Sequence, residues 1–207
     1  MALKIFTNLP SQNSQRAMSI SSARLGSAIE RIATGIRLQR SGDDIGAMAI
    51  SQSLRGDVTA LRQGAKNLND GISLVQTADG ALNEQSSILI RLREITSQSA
   101  TGTIGDTERA TVQLEFSALR SEFDRIANST EFNGRKLLDG SLAASASDTT
   151  VLQLGLDSSD NNRFDLNQKI NLTAITSSAL GFSTDSIATD TGALTAMANL
   201  TTAIEKL

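Results

Sequence analysis

Leu54, Val58, Leu61, Ala65, Leu68, Ile72 and Val75 follow one another at steps of 4, 3, 4, 3, 4 and 3 residues. Alternating steps of this kind place side chains on one seam of an α-helix, the a and d positions of a heptad. A lone helix has nothing against which to bury such a seam, so the pattern demands partner helices from the same chain or from neighbours. After Val75 the seam slips by one position to Ala78 and Leu82, then runs through Ser86, Leu89 and Leu92 to Ile95. A slip changes the local supercoil winding without ending the helix. A helix from about Asp44 to Ser99 would be roughly 80 Å long at ~1.5 Å rise per residue.

The flanking sequence supplies further elements. Residues 1–17 are polar and weakly patterned, and a second stripe begins at Met18 and continues through Ser22, Leu25, Ile29, Ile32 and Ile36. Arg40-Ser41-Gly42-Asp43-Asp44 interrupts it: Gly42 suits a helix end, and Asp43 suits the cap of the next helix. Thr101-Gly102-Thr103-Ile104-Gly105 breaks the long helix, and Asp106 or Thr107 can cap a third. The third helix carries its own seam of Val112, Phe116, Leu119, Phe123 and Ile126, and so short a connection predicts antiparallel packing on the second.

Asn133-Gly134 predicts a turn, and Ser141 to Thr150 a surface loop of small residues. Leu152, Leu154 and Leu156 then alternate, a polar turn follows from Asp157 to Asn162, and Phe164 and Leu166 alternate again. That pattern predicts a β-hairpin, with Ile170 to Leu172 extending it. A last helical pattern starts near Thr191 and places Leu194, Met197, Thr201, Ile204 and Leu207 on one face. No stop signal follows it, so the chain is expected to end inside an element. The predicted fold is mainly α, an elongated antiparallel helical rod of coiled-coil type with a small β-hairpin element.

Composition narrows the function. The chain has no His and no Cys, which removes the commonest general base, the thiol nucleophile and the usual zinc ligands. No acidic loop has the EF-hand pattern, and no cofactor is implied. Asp43 and Asp44 are consecutive on a helix and cannot face each other as an acid–base pair, so capping is their role. Gly102 and Gly105 lack the following Gly-Lys-Ser/Thr of a phosphate loop. A net charge of −3 with interspersed signs gives no footprint for nucleic acid. No apolar run reaches the ~20 residues of a membrane span, and Met1 to Pro10 lacks the apolar stretch of a cleaved secretory signal. Six Phe with neither Trp nor Tyr suit helices packed through small and aliphatic side chains. Catalysis is therefore not expected.

Several segments resemble bacterial flagellins. Leu25 to Leu38 is similar to the LxxAxERLSSGxRI pattern, with Gly42-Asp43-Asp44-Ile45-Gly46-Ala47 following as in KDDAAG. Asn69 to Leu82 resembles the NDGISxxQTAEGAL block, Arg91-Leu92-Arg93-Glu94-Ile95 the RxREL motif, and Phe132 to Leu138 the FNGxKLL motif. The likeness covers residues 1–140 closely and the hairpin region loosely. Ile95 stands for the usual Leu, and Ser41-Gly42 for the usual Ala-Lys.

The resemblance implies a structural subunit of the extracellular flagellar filament, exported unfolded by the flagellar type III apparatus without a cleaved signal peptide. Its implied partners are other flagellin subunits, an export chaperone and the cap protein, with no nucleic acid and no membrane. Residues 1–42 would be the filament-core segment, disordered in the monomer and helical in the filament. Residues 43–140 would form the rod of two long helices, 141–190 the loop and hairpin region, and 191–207 the start of a C-terminal rod helix. The family's C-terminal return along the rod is expected to be missing, leaving Leu54 to Val75 partly uncovered and assembly poor.

Arg91, Ile95 and Glu115 match positions through which an innate Toll-like receptor recognises the family, and they also suit an inter-subunit surface. Read as residues alone, Arg91 and Glu115 are solvated charges and Ile95 belongs to the seam. Ser141–Thr150 could carry O-linked sugars, as such loops do in some members. A hook–filament junction protein is the alternative within the same machine, and a chemoreceptor-type signalling coiled coil the alternative from another class. The motif blocks speak against the first, and the predicted hairpin against the second.

Overall fold

The computed structural model describes residues 8–39, 42 and 44–207. It is mainly α-helical with two small antiparallel sheets, in the order α1 (Leu9–Thr34), α2 (Ile45–Ser99), α3 (Asp106–Ser129), β1 (Glu131–Phe132), β2 (Arg135–Lys136), β3 (Val151–Gln153), β4 (Arg163–Asp165), α4 (Leu166–Ile170), α5 (Ser177–Leu180) and α6 (Asp190–Lys206). The chain forms two units, Met1–Thr59 and Ala60–Leu207, dividing within α2.

In the first unit, α1 begins at Leu9 rather than at Met18. Its start signal is local: the Asn8 side chain accepts from the Ser11 N–H at 3.3 Å, and Pro10 sits in the first turn, where a missing N–H costs nothing. Gly35 ends the helix at φ 67°, a left-handed conformation that favours glycine. No residue of α1 is buried. Its apolar stripe, Met18, Leu25, Ile29 and Ile32 included, is exposed. Asp44 caps α2, its carboxylate accepting from the Ala47 N–H at 2.9 Å. The expected cap Asp43 lies outside the described residues, as do Arg40, Ser41 and residues 1–7.

The second unit is built on α2 and α3. Gln85 donates to the Phe123 carbonyl, Arg91 to Glu115, and Arg109 to the Ser99 carbonyl. Each pair brackets the turn at Thr103–Ile104 symmetrically, so the two helices run antiparallel. Between them lie Ile88, Leu89, Leu92 and Ile95 from α2 with Phe116, Phe123 and Ile126 from α3. Ala193, Ala196, Leu200 and Ala203 of α6 close this core. The face of α6 that turns inward is thus one position away from the expected Leu194–Met197–Thr201 line, and Leu194 is exposed. Alanines allow close helix approach, and a count of large side chains does not register them.

The α2 C-terminus ends against a buried guanidinium. Arg109 donates through Nε to the Ser99 carbonyl at 2.9 Å and through Nη2 to the Thr101 carbonyl at 3.0 Å. Carbonyls of a last helical turn have no partner within the helix, and a cation suits the negative end of its dipole.

Residues 173–189 form a strap for which the sequence pattern gave no element. Ile175, Leu180, Phe182 and Ile187 are buried in the main core. Polar side chains of the two long helices tie the strap's backbone down. Gln85 donates to the Ile175 carbonyl, Asp124 accepts from Ser177 N–H and O–H at 2.7 and 2.6 Å, and Gln113 accepts from the Ile187 N–H at 2.6 Å.

A smaller core joins Leu74 and Ala78 of α2 to Ala127, Leu137, Leu138 and Leu142. Leu142 and Ala143 are therefore buried, and the stretch from Ser141 to Thr150 is not wholly a surface loop. Asn167 fastens it by donating to the Ser141 and Ala143 carbonyls and accepting from the Thr150 N–H. The predicted hairpin is β3–β4, with Leu152 opposite Phe164. It is not extended by Ile170–Leu172, because Asp165 accepts from the Gln168 N–H and starts α4 instead.

Two glycines of α2 let the hairpin approach. A Cβ at Gly64 would collide with the Leu154 carbonyl, and one at Gly71 with the Leu152 side chain. At Gly80 it would meet nothing within 4 Å. Alanine in place of helical glycine normally stabilises by roughly 0.5–1 kcal/mol. Gly80→Ala should raise the unfolding midpoint accordingly, whereas Gly64→Ala should lower it, because a backbone carbonyl has to move. Thermal melts of the two variants showing the same sign would contradict this packing.

Candidate interaction surface

The second half of the long seam is largely buried. Leu89, Leu92 and Ile95 lie inside, as do Phe116, Phe123 and Ile126 across from them, with Val112 and Leu119 half-buried at the margin. The first half differs. In the first unit Leu54 and Val58 are 56% and 47% exposed. In the second, Leu61, Leu68, Ile72 and Val75 are 49%, 43%, 46% and 39% exposed. In neither unit, within the described residues, do these side chains form a packed seam.

The reason lies one residue round the helix. Gly64, Gly71, Leu74 and Ala78 are the buried positions of this stretch. They are offset by one position, about 100° of rotation, from Leu68, Ile72 and Val75. The β3–β4 hairpin lies over the glycine line, held by Asn67, whose Nδ2 donates to the Gln153 carbonyl at 2.9 Å. Gln63 donates to the Asn67 Oδ1 and fixes which end of that amide faces the hairpin. Leu152 and Phe164 of the hairpin and Leu166 at the start of α4 line an open groove together with Leu68, Ile72 and Val75. Its walls are almost wholly apolar, and it offers no set of polar groups to orient a small molecule. What such a surface can do is adhere. Each half-exposed Leu, Ile or Val covered by a partner would contribute about 1 kcal/mol.

The charged cluster has another character. Arg91 donates through Nε and Nη2 to Glu115 at 3.0 and 2.7 Å, and through Nη1 to Glu94 at 2.7 Å. Hydrogen bonding to Glu115, and then to Glu94, holds the guanidinium more firmly protonated than usual. All three side chains are about half exposed or more, so water weakens the pairing while leaving it accessible. The structure thus brings Arg91 and Glu115 together across α2 and α3, but Ile95 is only 1% exposed. Ile95 is a core residue and cannot itself touch a partner. Its position three residues from Leu92 on the inner face dictates this.

Residues 5–143 match the family model described as the bacterial flagellin N-terminal helical region. A flagellin of Clostridium tyrobutyricum is 47% identical over 134 residues, 65% of this chain and 36% of that protein. The B-type flagellin of Pseudomonas aeruginosa is 43% identical over 155 residues, 75% of this chain and 31% of that protein. The crystal structure of Bacillus cereus flagellin superimposes with a TM-score of 0.55 at 30% identity, covering 67% of this chain and 74% of that one. The chain spans about a third of the length of the two curated relatives.

Proposed function

Since this chain belongs to the bacterial flagellin family, we propose that it serves as a structural subunit of the flagellar filament, outside the cell, polymerising with other flagellin subunits for motility. One observation carries this reading: a fully packed unit that nonetheless leaves a line of large aliphatic side chains, Leu61, Leu68, Ile72 and Val75, open to a partner. A chain working alone has no use for such a face, and a polymer does. The open stripe of α1 supports the same reading for residues 1–42 as the filament-core segment. Its work is packing rather than catalysis.

The absence of cysteine makes the test clean. Ser158 is exposed between β3 and β4. The native gene carrying Ser158→Cys, in cells lacking their own filament protein, should give extracellular filaments labelled along their length by a membrane-impermeant maleimide dye. Label confined to the soluble fraction would reject the proposal.

The finer partners belong to the same reading. Export through the flagellar type III apparatus requires the apolar face to be shielded first, which is the task of an export chaperone, with the cap protein receiving the subunit at the tip. The exposed Arg91–Glu115 pair is the contact offered to a host Toll-like receptor, with Ile95 acting only through the core beneath it. Arg91→Ala together with Glu115→Ala should abolish receptor signalling in a reporter cell. Undiminished signalling would remove the pair from that role.

A further inference from the structure

We propose that Asn133 is a site of spontaneous deamidation through a succinimide, a point of covalent ageing placed at the tip of the β1–β2 ribbon. Asn133-Gly134 is the one Asn-Gly pair in the chain. Both residues are exposed, and both sit in the left-handed region, at φ 52° and 78°. The register pairs Phe132 with Arg135 and Glu131 with Lys136, which leaves Asn133 and Gly134 as the two-residue loop outside the ladder.

The chemistry needs only water. The Gly134 backbone nitrogen, deprotonated, attacks Cγ of Asn133; a C–N bond forms, and the side-chain nitrogen leaves as ammonia. Water then opens the five-membered imide at either carbonyl, giving aspartate or, with the main chain rerouted through Cβ, isoaspartate. Glycine has no Cβ to crowd the attacking nitrogen. The loop must rotate to reach the ring geometry, and a ladder only two pairs long resists that less than a helix does.

Other positions in the chain set the comparison. Asn128 is followed by Ser129 inside α3, and its Nδ2 donates to the Asp124 carbonyl at 2.7 Å. Asp70-Gly71 and Asp79-Gly80 lie within α2. Asp139, ahead of Gly140, has its carboxylate engaged by the Ser141 N–H at 2.9 Å. The consequence at Asn133 is specific: isoaspartate lengthens the main chain in a loop whose register is fixed at two residues, and β2 carries that loop straight into the buried Leu137 and Leu138.

The whole protein, incubated in mildly alkaline buffer and then digested with trypsin, provides the test. The peptide from Ile126 to Arg135 holds both Asn128 and Asn133. The mass change from amide to acid should accumulate at Asn133, faster as pH rises, with isoaspartate as a product and Asn128 intact. Asn133→Gln should lose the change entirely. Equal conversion of Asn128 and Asn133, aspartate without isoaspartate, or an unaltered mass gain in Asn133→Gln would each overturn the proposal.

Discussion

Phe123→Ala is expected to destabilise the unit Ala60–Leu207 by about 3–5 kcal/mol, the usual cost of deleting a fully buried aromatic ring. Phe123 is completely buried in α3, and its ring meets the edge of Phe182 at a centroid distance of 5.3 Å and an interplanar angle of 70°. That contact joins the helix pair to the strap. The chain has six Phe and no Trp or Tyr, and alanine supplies three of the four buried α6 positions Ala193, Ala196, Leu200 and Ala203, so few large side chains are available to collapse into the space. Against a total stability of order 5–15 kcal/mol, such a loss removes a large part of the folded population's margin. Denaturant titration followed by far-ultraviolet circular dichroism reads it directly. Leu114→Ala, on the exposed side of the same helix, should change stability by no more than about 0.5 kcal/mol. A double-mutant cycle with Phe182→Ala should return a coupling of about 0.5–1.5 kcal/mol. A loss below about 1 kcal/mol for Phe123→Ala would mean that the core does not close around that ring.

The long helices were legible in the sequence because their signal is periodic. The expected span from Asp44 to Ser99 is close to α2 at Ile45–Ser99, and the break at Thr101–Gly105 falls where α2 gives way to α3. Periodicity identifies an apolar face, but it carries no information on whether that face is covered. This is why Leu89, Leu92 and Ile95 prove buried while Leu54 to Val75 prove open, although both runs read alike. The face that is covered in the first run is marked by Gly64 and Gly71, residues invisible to a hydrophobic pattern because their contribution is the absence of a side chain.

The same limit displaced the inward face of α6, where Ala193, Ala196, Leu200 and Ala203 pack and Leu194 does not. The strap at 173–189 escaped altogether: it has no period, and its order comes from side chains far away in sequence, such as Gln113 and Asp124. The early start of α1 has a local signal, since Asn8 followed by Pro10 marks a helix start without contributing to any apolar spacing. Of the candidate surface, the proximity of Arg91 and Glu115 follows from antiparallel packing, whereas the burial of Ile95 follows from its place on the seam.

In the proposed role, the apolar face of α2 serves assembly rather than the folding of the unit that bears it, and one variant separates the two. Leu61→Gln, Leu68→Gln and Ile72→Gln together place polar groups on the open face while leaving the inward positions Gly64, Gly71 and Leu74 untouched. A packed heptad position truncated to Ala would cost ~2–5 kcal/mol. Half-exposed positions should cost far less, about 0.5 kcal/mol or below at each site. Filament formation should respond in the opposite way, because each subunit would bring three glutamine amides to a contact that has to be dry, and the penalty recurs at every subunit along the polymer. The decisive measurement pairs a denaturant titration of the 207-residue chain with electron microscopy of cells carrying the triple variant in the native gene. The triple variant should lose long filaments while its unfolding free energy falls by no more than about 1.5 kcal/mol in total. Long filaments on swimming cells, or a collapse of the chain's own stability, would contradict it.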